Sequence, residues 1–125
     1  MKFDGYKVNR KHRTQRAAAT CTQWVVSEWE EIQLFSTAKL NEWICPKECL
    51  WAIRKINDKL SVLGKTDKKS AFIAKYVSNN NNEWHGYPVT PSRDADRPPS
   101  EVLDAWREAG IINKSTQAKI VKGKF

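Results

Sequence analysis

The sequence predicts a mainly α protein: a small single-domain bundle of four to five helices with a long ordered loop rich in Trp, Tyr and Pro. Three observations predict it. Apolar residues recur three or four positions apart through much of residues 21–77. Proline and glycine punctuate the last quarter where helices start and stop. Between these regions, residues 79–98 carry no period, and loops longer than about 12–15 residues are usually functional or disordered. An α+β fold with a minor strand pair is the alternative.

A chain of 125 residues suffices for one domain whose core needs no staples. A composition of 40% hydrophobic and 29% charged residues excludes a disordered chain. Residues 1–16 read as a basic arm, with Phe3, Tyr6 and Val8 pinned to the body as a short strand. Residues 17–78 read as the helical core. Its first helix, from Ala17, carries Cys21, Val25, Trp29, Ile32 and Phe35 on one face. Trp29→Ala is accordingly expected to cost about 3–5 kcal/mol. Pro46 and Glu48 suit the first turn of a second helix, striped by Leu50, Ile53, Ile56, Leu60 and Leu63 and stopped at Gly64. Thr66 or Asp67 caps a third helix, which buries Phe72, Ile73, Tyr76 and Val77.

Residues 79–98 form the loop. Its asparagine run, 79–82, is a solvated connector. The stretch Trp84-His85-Gly86-Tyr87-Pro88 is ordered, with its aromatic rings reaching back to the helices. Residues 99–125 are a helix, a turn and a basic element. Pro98-Pro99-Ser100-Glu101 opens a helix with Val102, Leu103, Trp106 and Ala109 inward. Gly110 ends it, and Ile111 supplies the hydrophobic contact of a Schellman cap. Asn113 or Ser115 caps a last short helix that stops at Gly123.

The net charge of +8 is gathered at the ends. Lys2, Lys7, Arg10, Lys11, Arg13 and Arg16 stand against Asp4 alone, and Lys114, Lys119, Lys122 and Lys124 stand against no acid. Basic arms on a nearly neutral body suit a polyanion, most commonly nucleic acid. The expected function is therefore a small basic nucleic-acid-binding protein of the bacterial or phage regulatory kind. Its contacts would come from Arg10, Lys11, Arg13, Arg16, Lys114, Thr116, Gln117, Lys119, Lys122 and Lys124. The corner at Ala109-Gly110-Ile111, followed by polar Lys114, Thr116 and Gln117, resembles the second half of a helix-turn-helix, which would read DNA.

Two other functions compete. One is a metal-free ribonuclease-like enzyme or toxin centred on His85. His85 and His12 would supply base and acid, Lys75 or Arg93 the cation, and Tyr87 would position the phosphate. The other is a protein-interaction or inhibitor module that uses Trp84 and Tyr87 as its hot spot. Binding outweighs catalysis on sequence alone, since nothing there fixes the partner of His85.

No cofactor or metal is expected. Gly64-Lys65-Thr66 matches the tail of a phosphate-binding loop, but Lys59 stands where its first glycine must be. Cys45 and Cys49 lie one helical turn apart, yet nothing in the spacing of Cys21 and His85 makes them complete a zinc set. Arg93-Asp94-Ala95-Asp96-Arg97 reads as a solvated loop with local ion pairs. The odd cysteine count, the lack of a secretory h-region and the lack of an apolar run near 18 residues point to the cytosol, with reduced thiols and no membrane contact.

Overall fold

The computed structural model describes residues 5–16, 21–46, 48–79 and 81–125. Phe3, Lys2 and the proposed helix start at Ala17 fall outside them. The fold is α+β, about 31% helix and 24% strand, so the helical bundle is wrong and the strands are far more than a minor pair. The described residues form three antiparallel sheets. The main sheet has the order β2 (Leu50–Ala52), β7 (Ile73–Ser78), β8 (Trp84–Val89). A second sheet has the order β1 (Gln23–Trp24), β5 (Gly64–Lys65), β6 (Ser70–Ala71). A hairpin pairs β3 (Lys55–Ile56) with β4 (Lys59–Leu60). Three α-helices accompany them: α1 (Glu28–Leu40), α2 (Ser100–Glu108) and α3 (Lys114–Val121).

The first helix, α1, does not carry the expected face. It starts at Ser27, where a capping box joins the Ser27 side chain to the Glu30 N–H and the Glu30 carboxylate to the Ser27 N–H. Starting there, α1 turns Leu34, Phe35 and Ala38 inward and leaves Trp29 63% exposed. Val25 is exposed as well, because it follows β1 and belongs to no helix. Trp29→Ala should therefore shift stability by only about 0.5 kcal/mol, the usual range for a surface site. A thermal melt checks this, and a loss near 3 kcal/mol would return the ring to the core.

The second helix does not exist. Asn57 and Asp58 both take positive φ, 52° and 64°, which makes the two-residue turn that joins β3 to β4. Leu50, Trp51, Ala52 and Ile53 are all buried, so β2 reads as an unbroken apolar run without alternation. The third helix is replaced by β7. Ile73, Ala74, Lys75 and Tyr76 are each buried because the central strand is covered on both faces. Thr66 does cap, but it caps a turn: its Oγ1 accepts from the Lys68 and Lys69 N–H groups, both at 3.0 Å.

Within the segment expected as a loop, Trp84–Val89 form β8, paired with β7 from Trp84↔Ser78 to Val89↔Ile73. Pro88 is tolerated because β8 is an edge of its sheet. The asparagines make the hairpin turn, where Asn79 Oδ1 accepts from the Asn81 and Glu83 N–H groups and Asn82 takes φ 59°. Asn80 lies outside the described residues.

The last quarter reads as expected in outline. Gly110 takes φ +75°, and the Gly110 and Ile111 N–H groups donate to the Arg107 and Trp106 carbonyls, a Schellman motif. Asn113 caps α3 by accepting from Thr116 N–H. Ala109, however, is exposed.

An aromatic core joins these elements. Tyr6, Phe35 and Tyr76 meet with centroids 4.8–5.8 Å apart, and Trp43 meets Trp106 edge to face at 5.8 Å. The basic arm is part of this core. Tyr6 is buried and bridges Trp84, while the Lys7 N–H donates to the Trp84 carbonyl at 2.8 Å. Arg13 reaches inward to Glu31, which is fully buried, and its Nη2 donates to Glu31 Oε1 at 2.6 Å.

Candidate functional site

Strand alternation separates the residues of β8. Gly86 and Pro88 turn to the core, and Trp84 packs its ring on Phe35 with centroids 5.8 Å apart. His85, Tyr87 and Val89 share the opposite face and line a cleft of about 500 Å³. Gly86 is required here: a Cβ would lie 2.2 Å from Tyr76 Cδ1.

The second wall comes from the arm. Arg10–His12 form a 3-10 turn capped by Asn9, whose Oδ1 accepts from Lys11 N–H. Gln23, fully buried, grips this segment from beneath. Its Nε2 donates to the Lys11 carbonyl, and its Oε1 accepts from the Thr14 and Gln15 N–H groups. His12 is buried and lines the same cleft as His85. Its ring stacks on Tyr87 with centroids 5.1 Å apart and planes 14° from parallel. His12 Nδ1 lies 2.8 Å from the Thr22 carbonyl oxygen, which can only accept. Nδ1 therefore carries the proton, and Nε2 is the acceptor of the neutral ring.

The third wall combines the Thr66–Lys69 turn with residues that follow β8, among them Ser92, Arg93 and Asp96. Lys11, Lys68, Lys69 and Arg93 outnumber Asp67 and Asp96, so the cleft carries net positive charge apart from its histidines. Burial lowers the pKa of both histidines below 6.5. The neighbouring Lys11 lowers both further, while the Thr22 carbonyl opposes the shift at His12 and Glu83 opposes it at His85. Burial raises the Tyr87 hydroxyl, so it stays protonated as a hydrogen-bond donor.

His85, His12, Tyr87 and Arg93 thus meet in one place, whereas Lys75 stands apart. Its Nζ donates to the Ala95 carbonyl at 2.5 Å, 3.8 Å from Asp96 Oδ1, and sits 5.3 Å from the Trp51 ring centroid. Lys75 therefore anchors the turn at Asp94–Asp96 beneath the cleft. Of the residues expected to bind nucleic acid, Lys11 lines the cleft, Arg16 is exposed, and Arg10 is exposed and paired with Glu28 at 3.0 Å. Arg13 is committed to Glu31, and Gln117 to Asp104 on α2 at 3.0 Å. Thr116 is half-buried at the start of α3, and Lys114, Lys119, Lys122 and Lys124 are exposed.

Sequence reading missed Thr22, Lys68 and Lys69 at the cleft. Only the hydroxyl and N–H chemistry of a turn at Thr66 hinted at the last two. Among the described residues, no group of three or more His, Cys, Asp or Glu side chains is arranged to hold a metal. No helix among them is long and apolar enough to cross a membrane. No protein-family model matches this chain, and neither curated proteins nor solved structures give a significant match.

Proposed function

We propose that this protein is a metal-independent ribonuclease whose catalytic residues are His12 and His85. The supporting observation is the meeting of two histidines, 73 positions apart in the chain, in one basic cleft, with the His12 ring fixed by Thr22 and Tyr87. A binding module would use the charge of this cleft but would leave the fixed tautomer of His12 without a role.

The chemistry is transfer within the RNA chain. Neutral His12, with its lone pair on Nε2, takes the base role first expected of His85 and removes the proton of a ribose 2′-OH. The 2′ oxygen forms a bond to phosphorus as the bond from phosphorus to the 5′ oxygen breaks. Protonated His85 gives its proton to the leaving 5′ oxygen. The products are a 2′,3′-cyclic phosphate and a 5′-hydroxyl. Lys11, Lys68 and Lys69 are the available cations for charge on the non-bridging oxygens, Arg93 being paired with Asp96 at 3.2 Å, and the Tyr87 hydroxyl is a further donor. A phosphate in the cleft favours a charged imidazole, which opposes the burial that keeps the free histidines neutral.

The test uses single-stranded RNA and DNA of one sequence, in excess chelator. RNA should be cut to cyclic-phosphate ends, and DNA should stay intact because it lacks the nucleophile. Intact RNA, or equal cutting of DNA, would overturn the proposal.

A further inference from the structure

The cleft does not end at its own walls. Lys69, on its rim, donates from Nζ to the Phe125 carbonyl at 2.7 Å. The Phe125 ring packs on Phe72 with centroids 5.3 Å apart. On the other side, Gly123 lies against Arg97 and Pro91: a Cβ there would stand 2.5 Å from Arg97 Nη2 and 3.0 Å from the Pro91 carbonyl oxygen. Pro91 lies between Thr90 and Ser92, both of which line the cleft. Two independent contacts therefore seat residues 123–125 against the rim. Lys122 and Lys124 flank Gly123, and the Lys124 N–H returns to the Lys119 carbonyl at 2.9 Å. All three lysines are exposed, and none is ion-paired to an acid among the described residues.

We infer that the cleft continues into a basic track over Lys119, Lys122 and Lys124, and that its ligand is an extended single strand of RNA rather than a mononucleotide or dinucleotide. This rests on the reading of the cleft as the site of RNA cleavage. Phosphates beyond the scissile one follow the lysines, while the cleft holds the reacting ribose. Contacts of this kind carry affinity without sequence preference and release counterions. Gln117 Nε2 donates to Asp104 Oδ1 at 3.0 Å, which holds α3 to α2.

The experiment compares wild type with the triple variant Lys119→Gln, Lys122→Gln, Lys124→Gln. One substrate is a ribodinucleotide, and the other is an oligoribonucleotide of about 12 nucleotides, within the span of single-strand binding sites. Binding of an all-2′-deoxy strand of the longer length is followed by fluorescence anisotropy over a range of salt. Wild type should prefer the longer substrate in kcat/KM. The variant should lose that preference, cut the dinucleotide as before and melt like wild type. Its slope of log affinity against log salt should be shallower by up to about 2, at roughly 0.7 per phosphate contact on a single strand. A preference that survives in the variant, or no preference in wild type, overturns the track. If neither RNA is cut but the salt slope still falls in the variant, the track stands and the catalytic reading fails. Absence of binding at low salt, with both RNAs left intact, removes both.

Discussion

His12→Ala and His85→Ala are each expected to lower kcat for RNA by about 10²–10⁴-fold, the usual contribution of a positioned acid or base. His85 is half-buried, so His85→Ala should change the melting temperature little, whereas His12 is buried and stacked on Tyr87, so His12→Ala should lower stability as well as rate. The double variant should fall little below either single one, because base and acid act in the same step. The pH profile follows from the direction of the shifts. Burial lowers both pKa values below 6.5, so the base stays neutral and useful to a lower pH than a free histidine would. The acid, in turn, loses its proton at a lower pH than a free histidine would. The optimum of kcat/KM should therefore lie on the acidic side of about 6.5 and fall towards pH 8. Steady-state rates from pH 4.5 to 8.5 give the answer, and an optimum at or above pH 8 would contradict these assignments. The same shifts act on folding. The unfolded chain takes up its histidine protons first as pH falls, so stability contributed by the neutral rings is lost below about pH 6.5.

Arg13→Ala is expected to cost about 3–5 kcal/mol at pH 7, because it leaves the Glu31 carboxylate buried without its cation. Glu31 is 0% exposed and the Arg13 side chain 12%. The arginine also donates from Nη1 to the Val26 carbonyl at 2.5 Å, and its guanidinium carbon stands 5.7 Å from the Trp24 ring centroid. The Tyr6 hydroxyl donates to the other oxygen of Glu31. Burial raises the Glu31 pKa more than Arg13 and Tyr6 lower it. Removing Arg13 raises it further. The penalty of the variant should therefore shrink as pH falls and the carboxyl takes a proton. Urea unfolding of both proteins at pH 7 and pH 5 measures this, the histidine effect being common to the two. A cost under 1 kcal/mol at pH 7 would mean that water reaches the pair. The triple replacement Arg13→Met, Glu31→Leu and Tyr6→Phe should recover most of the loss, since no buried polar side chain of the trio is then left unmatched.

What the sequence by itself determined is local. The end of α2 at Gly110 and the cap of α3 at Asn113 follow from the conformation of a few neighbouring residues, and both were legible. Ser27-x-x-Glu30 and Asn57-Asp58 carried equally local signals for the start of α1 and for the β3–β4 turn, but the longer apolar stripes masked them. The strands β2 and β7 were decided by tertiary structure. A strand covered on both faces has no alternation to read, and the spacing of Leu50, Ile53 and Ile56, or of Phe72, Ile73 and Tyr76, fits a helix as well. The same holds for the candidate site. His85, His12, Tyr87 and Arg93 were chosen as residue types with suitable chemistry. Gln23 beneath the arm, the turn at Thr66 and the edge position of β8 brought three of them, with His12, into one cleft and left Lys75 below it. Arg13 belonged with the free cations on paper, and the fold drew it inward because a buried carboxylate on α1 requires a partner. Residue chemistry is a property of the chain, whereas proximity between distant segments depends on the packing that buries them, and only the folded structure supplies it.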